Sequence, residues 1–243
     1  MTGAAPRGVT GEQATSRWVR DMFGRVARRY DLLNHLLSFN LDKRWRARTV
    51  KRVAAAFARP DARVLDLACG TGDLMLALET KRNAPVLGCD FCHPMLVEAG
   101  RKAAARHLAS ALVEADALTL PLRDASLDLI TIAFGFRNLA NYEKGLEEFL
   151  RVLKPGGMAA ILEFSQPTNR AFASVYGLFS SRVLPWAGGM ISGSRDAYSY
   201  LPESIQKFPG AEELATRMRA GGFSRVEFER MTGGAVALHL GWK

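Results

Sequence analysis

The chain lacks long apolar runs and contains few cysteines. None of its apolar runs approaches the roughly 18 uninterrupted residues that a membrane-spanning helix needs, and no charged-then-apolar leader precedes a cleavage site. The three cysteines among 243 residues argue for a reducing compartment and against a disulfide scaffold. Because 48% of the residues are hydrophobic, the chain can bury a sizeable core. We expect a cytoplasmic protein.

A complete metal-binding or redox motif is also missing. Cys89 and Cys92 form a C-x-x-C that His93 follows, but no second C-x-x-C supplies four ligands. The pair also flanks Asp90, for which the sequence predicts a different role. We therefore expect neither a metal site nor redox chemistry here.

The glycine loop lacks the third glycine of a dinucleotide fingerprint. Val-Leu-Asp-Leu-Ala-Cys-Gly-Thr-Gly-Asp at 64–73 predicts a buried strand, a tight turn and a helix start. No third glycine follows Gly72 at the spacing of G-x-G-x-x-G, and Asp73 at the helix start would repel a phosphate. An adenosyl ligand carrying a sulfonium and an amino acid fits this loop better. Asp90 lies about 20 residues past the turn, where a carboxylate takes ribose hydroxyls.

Strand and helix patterns alternate through most of the chain, which predicts an α/β fold with a doubly wound, mostly parallel sheet. Thr232-Gly233-Gly234 separates two final strand patterns and predicts an antiparallel C-terminal hairpin. Pro155-Gly156-Gly157 is expected to end the helix predicted at 142–153. The predicted strands are 63–67, 86–90, 111–114, 127–133, 158–164, 225–230 and 236–241, and the predicted helices are 17–30, 42–57, 73–81, 94–105, 142–153 and 211–220.

The length predicts one large domain over 16–243. Residues 1–15 are small and polar, and we expect them to be disordered. The stretch 165–210 is rich in serine, glycine and proline and breaks the alternation, which predicts a lid over the substrate region.

The positive charge is concentrated near the N-terminus. Residues 17–52 hold 11 Lys or Arg against 3 Asp, which accounts for +8 of the net charge of +9. Aromatic and leucine residues are interleaved with these cations in two predicted N-terminal helices within 16–58. This pattern favours a peripheral position on an anionic membrane surface, at the inner face of the membrane. Nucleic acid is the rival partner, and a solvated basic helix face is the simplest alternative.

Several motifs carry a resemblance to a known family. The fold pattern with D-x-x-C-G-T-G-D resembles class I S-adenosylmethionine-dependent methyltransferases. Other motifs resemble the ubiquinone/menaquinone biosynthesis C-methyltransferases (the UbiE/MenG family), over nearly all of residues 17–242. These are Tyr30-Asp31-Leu32-Leu33-Asn34 with Ser38 and Trp45-Arg46, 134–139 (F-G-F-R-N-L), 151–157 (R-V-L-K-P-G-G) with 163–165 (E-F-S), 198–205 (Y-S-Y-L-P-E-S-I) and 232–239 (T-G-G-A-V-A-L-H).

The chain departs from the family pattern at three positions. The family usually has Met where Leu33 stands and often His where Asp42 stands. A Ser that commonly contacts the cofactor is replaced by Ala133. These changes affect individual contacts rather than the resemblance as a whole.

The resemblance implies an enzyme that moves a methyl group from S-adenosylmethionine to a ring carbon of a prenylated quinol. Demethylmenaquinol, in the last step of menaquinone biosynthesis, is the favoured acceptor. The benzoquinol of ubiquinone biosynthesis is the alternative, and an RNA methyltransferase or other nucleic-acid-binding protein is the alternative from another class. F-G-F-R-N stands where an amine methyltransferase would have an N-P-P-Y motif, and we expect no nucleic-acid partner. The oligomeric state stays open, with a homodimer as one option.

The resemblance also implies the cofactor contacts. Asp90 is expected on the ribose hydroxyls, and Asp116 with the backbone of Ala117 on the adenine. Asp66 is expected to orient the loop or the amino group. The backbone of the glycine loop is expected near the methionine half, through Gly70, Thr71 and Gly72.

Three further residues are candidates for catalysis. Arg137 and Asn138 follow the fourth strand, where a guanidinium could stabilise a phenolate or orient a water molecule. Arg137 could equally form a structural ion pair. Tyr30 could contact the ring or the departing proton, and His239 is a weaker candidate base.

Overall fold

The computed structural model of the chain describes residues 3–4, 6, 8–27, 30–167 and 195–243, with the backbone alone at 32–33, 36–37 and 195–199. Most of the predicted lid, from 168 to 194, lies outside the described residues. None of the helices in these ranges is long and apolar enough to cross a membrane.

A seven-stranded sheet forms the centre of the protein and confirms the predicted doubly wound fold. The strand order is β3-β2-β1-β4-β5-β7-β6, in which β1 to β5 are parallel and β7 is antiparallel to both of its neighbours. The chain leaves β1 toward β2 and then returns to β4 on the other side, so the switch point lies between β1 and β4. The strands are β1 (Val64–Leu67), β2 (Leu87–Asp90), β3 (Ala111–Glu114), β4 (Leu127–Ala133), β5 (Leu153–Phe164), β6 (Arg225–Met231) and β7 (Val236–Trp242).

Helices cover both faces of this sheet. In the described part of the chain they are α1 (Glu12–Val26), α2 (Tyr30–Leu37), α3 (Leu41–Val53), α4 (Asp73–Arg82), α5 (His93–Ala105), α6 (Tyr142–Val152), α7 (Arg195–Lys207) and α8 (Ala211–Ala220). A 3₁₀ turn (Ala54–Phe57) continues α3 to the predicted end of that helix.

The first helix begins earlier than predicted, which corrects the expectation of disorder for residues 12–15. The Glu12 carboxylate accepts a hydrogen bond from Asn141 and lies 2.8 Å from the Lys144 ammonium. These contacts anchor the first turn of α1 to α6, 130 or so positions away along the chain, and no local pattern reveals them. Tyr30, which was expected to end this helix, instead begins α2.

The sixth helix also ends before the predicted proline-glycine signal. It stops at Val152, and Leu153 already pairs with Leu127 of β4. Pro155-Gly156-Gly157 therefore lies inside β5, where Gly156 adopts a φ of +77° and donates its amide hydrogen to the Lys243 carbonyl. Burial of Leu153 against the sheet decides where the helix ends.

Alternate residues of the strands supply two apolar layers. Leu65 and Leu67 of β1 face α6 and α8, whereas Val64 faces α3, α4 and α5. Each fully buried Leu or Phe contributes about 1.5–3 kcal/mol relative to an exposed one. Since β1 is buried on both faces, the loops at its carboxyl end are held firmly in place.

Candidate functional site

A cavity that opens to solvent, with about 930 Å³ of empty space including its mouth, lies at the carboxyl ends of the parallel strands, next to the switch point between β1 and β4. This is the position at which doubly wound sheets bind ligands. Loops after β1, β2, β3 and β4 form its floor. Phe23 of α1, Tyr30 of α2 and Arg46 of α3 close it from above.

The glycine loop and Asp90 are joined directly. The Gly70 amide donates a 2.8 Å hydrogen bond to one Asp90 carboxylate oxygen, and the Cys92 amide donates a 2.9 Å bond to the other. Burial raises the pKa of Asp90 to about 6, although these amide hydrogen bonds oppose the shift. A carboxylate has about four acceptor sites, so Asp90 keeps acceptors for a pair of ligand hydroxyls.

A second buried acid, Asp66, lies on the cavity wall in the middle of β1. The Thr131 hydroxyl donates a 2.6 Å hydrogen bond to its carboxylate. Burial raises the pKa of Asp66 to about 7, because the charged form loses its hydration. A positively charged ligand group beside Asp66 would favour the ionised carboxylate.

The loop after β3 brings Asp116 and Ala117, the two residues expected on the adenine, to the same cavity. Asp116 is exposed, and its side chain accepts a 2.9 Å hydrogen bond from the Leu118 amide. Ala117 is buried. The hydrogen bond to Leu118 holds the loop in place, so that Asp116 and Ala117 present a fixed backbone to the cavity.

The glycine-loop residues have different roles. Gly70 and Thr71 line the cavity, but the Thr71 hydroxyl donates its hydrogen bond to Asp31 of α2. Gly72 does not line the cavity. It adopts a φ of +87°, and an added Cβ would lie 3.2 Å from the Cβ of Ala99, so Gly72 allows α4 to pack closely on α5.

Asp73 is paired with cations of the protein, which modifies the prediction that it meets a cationic ligand directly. Its carboxylate forms an ion pair with Lys102 and lies 3.7 Å from the Arg46 Nη1. Burial would raise the pKa of Asp73, but Arg46 and Lys102 outweigh that effect and hold it below the usual value. Its charge acts mainly to position these two cations.

His35, Asp42 and Asp73 lie within 4.8 Å of one another, a geometry that could hold a metal ion. Arg46 forms ion pairs with both carboxylates, and the His35 Nδ1 lies 2.8 Å from the Asp42 carboxylate. The Arg46 guanidinium therefore already pairs with the two carboxylates that such a metal ion would use.

Arg137 is buried and is not among the described residues that line the cavity, so its contact with a phenolate stays a prediction. Its Nη1 lies 2.8 Å from the Glu163 carboxylate and donates a 2.7 Å hydrogen bond to the Phe134 carbonyl. Only 4% of Arg137 is exposed. The ion-pair alternative is the one that the geometry shows.

Asn138 and Tyr30 do line the cavity. The Tyr200 hydroxyl of α7 donates a 3.1 Å hydrogen bond to the Asn138 side-chain oxygen, and the Asn138 amide nitrogen donates a 3.4 Å hydrogen bond to the Phe134 carbonyl. Burial raises the pKa of Tyr30, while the positive charge of Arg137 opposes that shift.

His239 does not reach the site. Its Nε2 lies 2.8 Å from the Ala211 carbonyl, and burial lowers its pKa to about 4.

Burial raises the pKa of Cys89 to about 12 and that of Cys92 to about 11. Both are therefore neutral thiols near pH 7.

The wall also contains residues for which the sequence predicted no place in the site, among them Phe23, Arg46, Phe91 and Phe134. Phe23 and Arg46 belong to residues 17–52, the basic N-terminal block, whose composition indicates a surface role. Nothing in the local pattern shows that α1 and α3 also close a cavity above the sheet.

Comparison with known proteins decides the family. The sequence model of the "ubiE/COQ5 methyltransferase family" matches residues 10–243 of this chain. A demethylmenaquinone methyltransferase of Thermus thermophilus is 52% identical over 90% of this chain and 99% of that protein. The chain belongs to the ubiE/COQ5 methyltransferase family. The protein is thus an S-adenosylmethionine-dependent methyltransferase.

Two further relatives have similar coverage. A demethylmenaquinone methyltransferase of Deinococcus radiodurans is 44% identical over the full length of both chains. A ubiquinone/menaquinone biosynthesis C-methyltransferase of Syntrophotalea carbinolica is 44% identical over 91% of this chain and 92% of that protein.

Solved structures share the fold of the methyltransferase at low sequence identity. A possible histamine N-methyltransferase of Thermotoga maritima superposes with a TM-score of 0.64 at 18% identity, covering 92% of this chain and 98% of that chain. A phosphoethanolamine N-methyltransferase of Haemonchus contortus gives a TM-score of 0.58 at 14% identity, covering 80% and 52%.

The residues of the cavity fit S-adenosylmethionine. Asp90 provides a carboxylate whose orientation the Gly70 and Cys92 amides fix, which suits a ribose diol. Asp66, whose pKa burial raises to about 7, suits the neighbourhood of an ammonium or sulfonium. When bound, the cofactor supplies an electrophilic methyl group, and the protein holds that group in register with the acceptor.

Proposed function

We propose that this methyltransferase methylates a ring carbon of demethylmenaquinol, a prenylated naphthoquinol. The supporting observation is the 52% identity to the Thermus thermophilus relative over 99% of that protein, since that relative is named a demethylmenaquinone methyltransferase. The relatives from Deinococcus radiodurans and Staphylococcus aureus carry the same name.

The chemistry requires an electron-rich ring. A hydroxyl of the quinol loses its proton, the ring carbon attacks the sulfonium methyl in line, and the carbon–sulfur bond breaks with its electrons left on sulfur. The ring carbon then loses its own proton and the quinol oxygen regains one, so that methylated quinol, S-adenosylhomocysteine and one released proton result. Proton transfer and charge stabilisation at the quinol oxygen are the tasks left to the protein.

Asn138 and Tyr30 are the polar residues proposed to contact the quinol. Tyr200 orients the Asn138 amide by its hydrogen bond to the side-chain oxygen, and one N–H of that amide donates to the Phe134 carbonyl. The second N–H is the donor proposed for the quinol oxygen. Arg137 is proposed to act indirectly. It fixes the loop after β4 through the Phe134 carbonyl and adds positive potential near Tyr30.

Aromatic side chains give the cavity the apolar surface that a ring substrate needs. Phe134 packs against Phe164 with ring centroids 4.8 Å apart, and Phe23 packs edge-on against Tyr30 at 5.8 Å. Such a wall excludes water from the developing phenolate and strengthens each polar contact.

The benzoquinol intermediate of ubiquinone biosynthesis is the second candidate acceptor. The Syntrophotalea carbinolica relative, at 44% identity, carries a name that includes both pathways. Its similarity is lower than that of the Thermus thermophilus relative, and for this reason the naphthoquinol is preferred.

One assay separates these acceptors. Methyl-labelled S-adenosylmethionine is incubated with reduced demethylmenaquinone or with the reduced 2-polyprenyl-6-methoxy-benzoquinone, and the product is analysed by mass. We expect a gain of one methyl on the naphthoquinol ring. Transfer to the benzoquinol alone would favour the second candidate, and transfer to neither would contradict both.

We also propose that the enzyme works at the surface of an anionic membrane. In the basic N-terminal block, Asp31 and Asp42 turn inward to Lys102 and Arg46. Lys43 and Arg44 are exposed beside Phe39, which is 73% exposed at the turn between α2 and α3. This distribution leaves positive charge and an aromatic ring on the solvent-exposed face of the basic N-terminal block. Anionic membrane surfaces bind this combination.

Vesicle sedimentation tests the membrane proposal. Binding to vesicles with 30% or so anionic phospholipid should exceed binding to neutral vesicles and fall with added salt. Lys43→Glu with Arg44→Glu should abolish the difference, whereas Lys81→Glu on α4 should preserve it. Equal binding to both vesicle types, or salt-sensitive binding to RNA instead, would contradict the proposal.

A further inference from the structure

Arg46 is the one cation among the described residues that line the cavity. It lies on α3, directly after Trp45, whose buried indole donates a 2.9 Å hydrogen bond to the Thr232 hydroxyl. This contact ties α3 to the turn between β6 and β7. Because Trp45 packs down onto the sheet, its neighbour Arg46 is directed over the cavity.

The guanidinium of Arg46 is held at the glycine-loop end of the cavity. Its Nη1 forms an ion pair with Asp42 and lies 3.7 Å from Asp73, the first residue of α4 after the loop. Its central carbon lies 5.7 Å from the centroid of the Phe134 ring. The guanidinium of Arg46 is therefore held by the two carboxylates at its Nη1 and by the face of the Phe134 ring.

The acids that hold Arg46 are themselves anchored. The Ser38 hydroxyl donates a 2.7 Å hydrogen bond to Asp42, and the His35 Nδ1 lies 2.8 Å from the same carboxylate. Lys102 pairs with Asp73 and also with Asp31. The contacts described for Arg46 with these acids all involve Nη1, and a guanidinium has five N–H donors in a planar fork.

S-adenosylmethionine carries one anionic group, the carboxylate of its methionine half. Asp66, Asp90 and Asp116 make the rest of the cavity acidic, which suits the ammonium, the sulfonium and the ribose but not a carboxylate. With Asp90 on the ribose, a methionine half that ran along the glycine loop toward the start of α4 would bring its carboxylate to Arg46, which lies 3.7 Å from Asp73 at that helix start.

We propose that Arg46 binds the carboxylate of the methionine half of S-adenosylmethionine, and that Asp42 and Asp73 position the guanidinium for this contact. The assignment rests on the cofactor and not on the identity of the quinol. It extends the cofactor site to α3, beyond the ends of β2 and β3 to which the adenosine is assigned.

The test compares two probes, S-adenosylmethionine and its decarboxylated form, by titration calorimetry without any quinol. The native protein should bind S-adenosylmethionine about 10- to 100-fold more tightly, as a charge-assisted contact implies. Arg46→Gln should weaken binding of S-adenosylmethionine by a similar factor and leave binding of the decarboxylated probe within about twofold. Arg48→Gln is the matched control, since Arg48 lies on the same helix but bonds Glu229 at the surface.

Each outcome decides the proposal. Equal affinity of the native protein for both probes would overturn it, even if Arg46→Gln failed to fold. An equal loss for both probes in a folded Arg46→Gln variant would indicate a structural role and would also overturn it. Since these are binding measurements, a wrong quinol assignment would leave them unchanged, and failure of both probes to bind would instead refute the cofactor.

Discussion

The buried Arg137 guanidinium lies 2.8 Å from the Glu163 carboxylate, and the two residues are 4% and 1% exposed. Arg137 belongs to the loop after β4, and Glu163 to the end of β5. Arg137 also lies 5.2 Å from the Phe164 ring centroid. The pair fixes the loop that carries Phe134 and Asn138 into the cavity.

Removing one partner of this pair should destabilise the protein strongly. Arg137→Gln leaves Glu163 buried without its cation, for which we expect a loss of about 3–5 kcal/mol in the free energy of unfolding. Urea titration measures this change. Arg137→Met combined with Glu163→Leu should cost less than either single change. Equal stability of Arg137→Gln and the native protein would show that the pair is not needed for the fold.

Asp90→Asn should weaken binding of S-adenosylmethionine. The substitution keeps the size of the side chain, but an amide nitrogen would face one of the Gly70 and Cys92 amides, which now donate to the carboxylate. We expect about a 10- to 100-fold higher Kd by calorimetry, from loss of charge-assisted hydrogen bonds. Asp61→Asn, at an exposed surface position, is the control, and an unchanged Kd for Asp90→Asn would reject the ribose contact.

Binding of the cofactor should depend on pH through Asp66 and Asp90. Burial raises their pKa values to about 7 and about 6, so both acids become ionised between about pH 5 and pH 8. A cationic ligand prefers the ionised acids, and its affinity should therefore rise with pH across this window. Asp66→Asn should remove the upper part of the rise, and a flat profile in the native protein would contradict the prediction.

The stability of the free protein should change in the opposite direction. Because both folded-state pKa values lie above the unfolded value of 3.8, the folded state binds more protons between about pH 4 and pH 7. These two groups therefore make the ligand-free protein less stable as pH rises through that window. Thermal unfolding at several pH values, with and without cofactor, should show a growing stabilisation by the ligand at higher pH.

Asn138→Ala should lower turnover while binding of S-adenosylmethionine is preserved. The side chain lines the cavity and accepts a hydrogen bond from Tyr200, but it lies in the loop after β4 rather than beside Asp90. We expect a decrease of about 10²-fold or more in kcat with reduced demethylmenaquinone, the size typical of a lost polar contact in a transition state. Tyr200→Phe should give a smaller decrease, and full activity of Asn138→Ala would remove it from the mechanism.

Much of the fold follows from local pattern. The alternation of apolar runs and helical periods predicts every parallel strand of the sheet, because strands buried on both faces must be continuously apolar. Thr232-Gly233-Gly234 predicts the terminal hairpin, and all three of these residues adopt positive φ. The start of α1 and the end of α6 depend instead on contacts with distant residues, through Glu12 and Leu153.

The candidate site divides in the same way. Asp90, Gly70 and Asp116 are predictable because each follows a strand, and strand ends of a parallel sheet meet at one edge. The sequence by itself thus determined the fold class, the strand-end residues proposed for the adenosine and the family resemblance. Tertiary structure alone decided that Arg137 pairs with Glu163 and that Arg46 enters the cavity. The physical reason is that a charge finds its partner through the order of strands and the packing of helices, which no local periodicity encodes.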